Sequence, residues 1–386
     1  MVSKHIFVIL ALLALALLPS PAHAGGVVTV CDEAHLLAAL AGGGTVTFAC
    51  SGTIVLTDTI TIASTTTIDG GGQDITISGN NAVRVFAVNS GVTFNVNKLT
   101  IANGESGAGG GIGMSSGALT VSNSTFVGNH ADTGGAIQTR GSVTVRNCTF
   151  VNNYADLHGG GLELFGGSTI VSNSTFFGNY AAWGAGITSG SATTTVINST
   201  LSGNIAGQGG GIYSYAGPGR VTLKNTIIAN NAGEQNCYIL GNLTDGGGNL
   251  SYPDDYSCPG IKADPMLGPL QNNGGPTWTM ELRPGSAAID GGIDANCAAT
   301  PVNNLDQRGF VRPQGAHCDI GAFEWVCPSF LPPAAVGIED VVAIATRWGW
   351  TDATPGWDPV YDFNLDDKID MRDIMLVTAA WGYTCP

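Results

Sequence analysis

Between residues 100 and 231 the apolar positions do not follow a helical period. They come as short strand-like runs such as Leu119-Thr120-Val121 and Thr125-Phe126-Val127, separated by Gly, Asn and Ser. Ahead of most runs stands a small-residue tetrad: Gly109-Gly110-Gly111-Ile112, Gly134-Gly135-Ala136-Ile137, Gly159-Gly160-Gly161-Leu162, Gly184-Ala185-Gly186-Ile187 and Gly209-Gly210-Gly211-Ile212, with starts 25 residues apart. Asparagine pairs spaced N-x5-N accompany them: Asn97/Asn103, Asn123/Asn129, Asn147/Asn153, Asn173/Asn179, Asn198/Asn204 and Asn225/Asn231. A fixed period of this length predicts a solenoid, and strand-rich units predict the coils of a parallel β-helix.

Stacking accounts for the composition. With coils about 4.8 Å apart, equivalent side chains lie above one another, so an inward polar group must find its partner in the next coil. An asparagine amide can donate to one neighbour and accept from the other, whereas a carboxylate ladder would repel itself. Many of the 57 glycines then serve tight corners, and Phe126, Phe150, Phe176 and Leu201, with Ile112, Ile137, Leu162, Ile187 and Ile212, are the expected stacked core.

Bare solenoid ends would leave strand edges unpaired, so covers are expected. Residues 25–51 read as an N-terminal cap, in which a short helix from Asp32 to Ala41 presents Leu36, Leu37 and Leu40 on one face. Coils are expected over 52–235, less regular before Gly104, and a loop-rich segment over 236–326. In that segment Asp264 to Leu270, Asn273-Gly274-Gly275-Pro276-Thr277, Pro284 to Asp290, Asp306-Gln307-Arg308-Gly309 through Arg312-Pro313, and Asp319 to Glu324 occur in order. Over roughly residues 25 to 325 the chain resembles the choice-of-anchor Q domain proteins, which are similar to polymorphic outer-membrane and pectate-lyase-like right-handed β-helices. The resemblance implies a right-handed β-helix displayed outside the cell with an attachment device at its C-terminus, and no particular catalytic activity.

Residues 327–386 shift to helical patterns after a linker holding Pro328, Pro332 and Pro333. Asp340 to Gly349 repeats 33 residues later as Asp373 to Gly382. The apolar sets Val341, Ile344, Trp348 and Ile374, Val377, Trp381 predict two helices packed face to face. The second copy follows Asp362, Asn364, Asp366, Lys368 (through its carbonyl), Asp370 and Asp373, the positions of an EF-hand-like loop for one Ca2+. Asp367 stands where glycine is usual and Asp, not Glu, closes the loop, so weaker binding is expected. The first copy places Ser329, Leu331, Pro333, Gly337 and Asp340 at those positions and is expected to hold no metal. The tandem resembles a dockerin, which implies a cohesin-like scaffold as partner; the unit could equally be a folded end-piece.

Residues 1–24, with Lys4, the apolar run Ile6 to Leu18 and Ala22-His23-Ala24, read as a signal peptide, so a secreted, cell-surface-associated protein is expected. Its removal takes the formal charge from −15 to −16, leaves no transmembrane stretch, and makes nucleic acid an unfavourable partner. Nine cysteines in an exported chain suggest disulfides, and proximity proposes Cys31/Cys50, Cys237/Cys258, Cys297/Cys318 and Cys327/Cys385, leaving Cys148 as a buried thiol.

An active site is weakly signalled. Glu105, Asp132 and Asp156 fall at comparable turns with His130, His158 and Glu163 near, so Asp132, Asp156, His158 and Glu163 are the catalytic candidates, although such aspartates more often cap turns. Phe165, Trp183, Tyr213 and Tyr215 are expected outside, where they could stack on sugars. The sequence thus favours a surface-displayed binding or adhesion protein for polysaccharide or cell-surface glycan. Its rivals are a polysaccharide lyase or glycoside hydrolase delivered by a dockerin, and a purely structural coat protein.

Overall fold

Short alternating strands cannot bury their apolar face alone, and here each pairs in parallel with the strand one repeat later. A computed structural model describes residues 25–215, 217, 219–253, 256–330, 335–364 and 366–384. The expected signal peptide lies outside them. The coils build four parallel sheets, of ten strands (Gly26–Val28 to Asn242–Asp245), nine (Gly52–Val55 to Leu250–Tyr252), eight (Ile60–Ile62 to Cys237–Ile239) and five (Glu105–Ala108 to Ile205–Gln208). Ile112, Ile137, Leu162, Ile187 and Ile212 are in register. So are Phe126, Phe150, Phe176 and Leu201, with the three phenyl rings stacked at 4.9 and 4.6 Å.

In five of the six pairs, all but Asn97/Asn103, the two asparagines do different work. The second members form a buried ladder: the Asn129 amide donates to Asn153 Oδ1 (2.9 Å), Asn153 to Asn179 (2.9 Å), Asn179 to Asn204 (2.8 Å) and Asn204 to Asn231 (2.9 Å). Each also donates to a carbonyl lower in the stack, as Asn153 does to Phe126 (3.0 Å). Among the first members, Asn123, Asn147, Asn173, Asn198 and Asn225 turn the corner at φ between 43° and 53°, a region asparagine tolerates better than most residues. Glycine is required at Gly134, where φ is +63°, and at Gly135, where a Cβ would lie 2.4 Å from the Tyr154 carbonyl oxygen.

Helix α1 (Glu33–Leu40), capped by Asp32, closes the N-terminal end. Its buried side is Leu36 and Ala39, with Leu40 half-buried; Leu37, expected inward, is exposed because it falls one position off that stripe. Disulfides join Cys31 to Cys50, Cys237 to Cys258 and Cys297 to Cys318, and Cys327 is disulfide-bonded, while Cys385 lies outside the described residues. Cys148 is a buried thiol, pushed up to about 12 by burial.

Beyond the coils, residues 264–325 do more than cover an end. This segment holds an antiparallel pair (Leu267–Gln271 with Thr279–Leu282) and the short helix α2 (Asp294–Ala298). It runs back along the nine-stranded sheet as a strap. Gln307 is its peg: Nε2 donates to Thr149 Oγ1 (3.1 Å) and the Cys148 carbonyl (3.3 Å), and Oε1 accepts from Thr175 (2.7 Å). Thr149 donates to the Trp278 carbonyl (2.6 Å), and Ala322 N–H donates to Thr200 (3.1 Å). Inside the strap, Asp306 pairs with Arg308 (2.8 Å) and Glu324 with Arg312 (3.3 Å), all four buried. Two of the motifs that carried the family resemblance, Asp306 to Pro313 and Asp319 to Glu324, therefore supply the strap's internal ion pairs.

The 33-residue duplication appears in space. Asp340 accepts the N–H of Phe330 (2.7 Å) and Gly337 (2.8 Å), and Asp373 those of Phe363 (2.8 Å) and Asp370 (2.8 Å). Val336 bonds to Gly382 and Tyr383 as Ile369 bonds to Gly349 and Trp350. Helices α3 (Ile338–Ala345) and α4 (Met371–Ala379) enclose Val336, Ile344, Ile369, Val377 and Ala380. Trp348 and Trp381, expected on the shared face, are exposed, because both helices end before them.

Candidate functional site

The five-stranded sheet offers the outer face that differs most from the rest of the coils. Its register runs Glu105, His130, Tyr154, Tyr180, Ile205, all pointing outward. Among the described residues from 56 to 239, the large apolar side chains left exposed are Tyr154 (40 %), Leu157 (46 %), Tyr180 (39 %) and Ile205 (47 %), and all four sit on this sheet. A contiguous apolar strip with a polar rim is the usual mark of a binding surface.

A bulge shapes the strip. In the strand Tyr154–His158 the register slips so that His158, not Leu157, faces Thr133. The additional residue turns Leu157 outward and re-aims the strand end, as bulges near functional sites do. The signal was in the sequence: Asn153 stands six residues before Gly159, against five from Asn129 to Gly134. Leu157, Tyr154, Tyr180 and Ile205 were not among the residues singled out there.

His130 sits between two carboxylates, 2.8 Å from Glu105 and 3.5 Å from Asp156. Partial burial works against its protonation, but the hydrogen bond and charge of Glu105, then those of Asp156, outweigh it and raise its pKa. Asp132 is exposed on the neighbouring coil and makes no hydrogen bond among the described residues. The sequence-derived set therefore divides, with Asp156 joining His130 and Glu105 on the open face.

His158 and Glu163 belong to a second, closed cluster across the Gly159 turn. Glu163 lies on the eight-stranded sheet in register with Gln138 and Thr188, and it is wholly buried. Burial pushes its carboxyl up to about 7, with the hydroxyls of Thr133 and Tyr215 and the Arg140 charge offsetting only part. Those two hydroxyls lie close by, but among the described residues no donor meets either of its oxygens, or His158 Nδ1, in full hydrogen-bonding geometry. His158 stacks on Trp183 (4.9 Å) and meets Tyr215 edge-on (5.1 Å), and burial lowers its pKa.

The aromatic residues expected as open sugar platforms are not open. Tyr213 is buried, Trp183 and Tyr215 are half-buried against His158, and Phe165 lies under the Arg140 guanidinium at 5.4 Å. Rings stacked coil upon coil cover one another's faces. Tyr154 and Tyr180 do so on the open strip too (4.6 Å, 7°), leaving their edges and hydroxyls as the contact surface.

The C-terminal loop already has a tight turn. Asp362 accepts the N–H of Asp366 (3.2 Å) and Asp367 (2.9 Å), and Asp367 takes φ +60°, the geometry for which glycine is usual. Asp362 is pushed up to about 6, by burial first, then by the charges of Asp373 and Asp366, against those two N–H bonds. Asn364 donates to Asp366 (3.1 Å), Asp366 meets Arg372 (2.8 Å), and Asp370 is 3.7 Å from Lys368 Nζ. Among the described residues no three His, Cys, Asp or Glu side chains form a ready metal cluster. The loop's acids instead receive backbone N–H groups and basic side chains.

A family model described as the right handed β-helix region matches residues 44–201. Together with the coil geometry, that match defines a β-helix protein with a right-handed solenoid. A search of curated proteins finds no match. Among the described residues no helix is long and apolar enough to cross a membrane.

Proposed function

We propose that this β-helix is an exported, surface-displayed binding or adhesion protein whose ligand is a polysaccharide or cell-surface glycan, held along the five-stranded sheet. The observation that carries this reading is that, between residues 56 and 239, the exposed large apolar side chains among the described residues all lie on that one face. Five coils give a strip about 19 Å long, room for a few sugar units. Tyrosine edges and hydroxyls, with Glu105 and Asp156, supply apolar contact beside hydrogen-bond donors and acceptors, the mixture a sugar ring needs. A glycan array scored for retention tests it: Tyr154→Ala with Tyr180→Ala is expected to abolish retention at unchanged thermal stability. Equal retention by the double variant would end the proposal.

A second reading, a polysaccharide lyase or glycoside hydrolase, is supported by Glu163, whose carboxyl near 7 suits proton transfer at neutral pH. Against it stands the closure of that cluster by Trp183, Tyr213 and Tyr215. New reducing or unsaturated ends that vanish in Glu163→Gln would establish it.

For residues 327–386 the proposal is a one-calcium, EF-hand-like unit of dockerin type that attaches or stabilises the protein, with Asp362, Asn364, Asp366, the Lys368 carbonyl, Asp370 and Asp373 as ligands. Support comes from the left-handed Asp367 and the Asp362 bonds that close the turn. Bound calcium would replace the charge repulsion between Asp362, Asp366 and Asp373 by attraction. Calorimetric titration with Ca2+ is expected to give one site, lost in Asp362→Ala.

A further inference from the structure

Outward on the nine-stranded sheet, one threonine follows another in register: Thr53, Thr76, Thr100, Thr125, Thr149, Thr175 and Thr200. The last three are buried, and they are the hydroxyls that the strap engages through the Trp278 carbonyl, the Gln307 carboxamide and the Ala322 N–H. The strap's near end is Pro276 and Thr277, the latter donating to the Asn147 carbonyl at 3.0 Å. Below that point the same row continues uncovered, with Thr53 exposed and Thr76, Thr100 and Thr125 half-buried. A cavity of about 390 Å³ lies there, lined by Asp74, Thr76, Lys98, Thr100 and Thr125 and closed at one side by Pro276.

We propose that the open half of this ladder is a docking surface for an extended peptide segment of a partner protein, which continues the strap's interface down the same sheet. The chain's own strap sets out the recognition chemistry. A threonine row presents a hydroxyl at every coil, and an extended peptide returns carbonyls, N–H groups and carboxamides at comparable spacing. The partner segment is therefore neutral, since one Asp and one Lys on the cavity wall leave it without net charge, and rich in glycine and in Asn or Gln, like the strap. Pro276 is the point of contact between the two halves of the interface, so the incoming segment abuts the strap.

The probe is a fluorescein-labelled synthetic peptide of residues 272–280, the strap's own sequence, added to the full chain. Saturable binding is expected, weakened roughly tenfold by Thr100→Val with Thr125→Val, which remove two hydroxyls while keeping shape, and unchanged by Tyr154→Ala on the glycan face. Thermal melts of the threonine variant, expected to match wild type, exclude misfolding. Absence of binding at millimolar peptide, or binding insensitive to the two valines, overturns the proposal. So does loss of polysaccharide retention in the threonine variant, which would give this face to the glycan. Dissociation of a dimer by the same variant would give it to a second copy of the chain and also overturn it. The glycan reading fails separately, through the tyrosine variant.

Discussion

Two faces of one solenoid solve the same problem oppositely. On the nine-stranded sheet, outward threonines meet a strap from the same chain, and Thr149, Thr175 and Thr200 are each bonded and buried. On the five-stranded sheet, outward Tyr154, Tyr180 and Ile205 touch their neighbours within the coils but remain exposed, covered by no strap among the described residues. A stacked coil gives outward residues similar neighbours above and below, so side-chain chemistry decides whether a face can be sealed, and the reach of the strap decides how much of it is. Small hydroxylated residues make a surface that backbone can lie on, whereas aromatic edges and carboxylates hold backbone away.

Detaching the strap is the strongest way to break the contrast. Arg312→Ala leaves Glu324 buried with its charge unpaired, and truncating one member of such a pair costs about 3–5 kcal/mol. Limited proteolysis between Gly268 and Glu324 is expected to become fast. Cys148, inside the coil, is expected to stay unreactive to a thiol reagent, and labelling as fast as cleavage would mean that strap and coils unfold as one unit. Asn153→Ala attacks the coils instead. It strands the Asn129 amide and the Phe126 carbonyl, a loss of about 3 kcal/mol by chemical denaturation, and it is expected to release coils and strap together.

Glu163 sharpens the comparison through pH. Its folded pKa, about 7, lies above the ordinary 4.5, so its carboxyl costs the fold nothing below about pH 4.5 and destabilises it increasingly as pH rises through 7. Glu163→Gln is therefore expected to stabilise the protein by up to about 3 kcal/mol at pH 8 and by little at pH 4.5. A pH-independent difference between the two proteins would show that the carboxyl is not buried as described.

Much of this is legible in the amino-acid sequence. Period, inward amides and the Phe126, Phe150, Phe176 stack follow from 25-residue spacing and the rule that stacked polar groups must satisfy one another. The strap is not, because Gln307 bonds to Thr149 and Thr175 across more than a hundred residues and no local spacing encodes such a pair. Leu37, Trp348 and Trp381 were placed inward by helical period, which says which residues share a stripe but not where the helix stops or which stripe turns in. His158 and Glu163 looked like surface acid-base candidates; stacking of Trp183, Tyr213 and Tyr215 over them is a property of successive coils, visible only once register is known.

The mildest test reads the open face directly. His130 is tied to Glu105 and, more loosely, to Asp156, and its pKa lies above the ordinary 6.5. Its two ion pairs therefore help the fold fully below pH 6.5, and that help is lost as pH rises through the folded value. Glu105→Gln is expected to bring the His130 midpoint in an NMR titration back toward 6.5, with little change in melting temperature because the pair is solvent-exposed. Adding a ligand that lies on Tyr154 and Tyr180 is expected to move the same midpoint, since His130 meets the Tyr154 ring edge-on at 4.9 Å. A ligand bound at the threonine ladder instead leaves His130 unmoved, so one histidine signal distinguishes occupancy of the two faces.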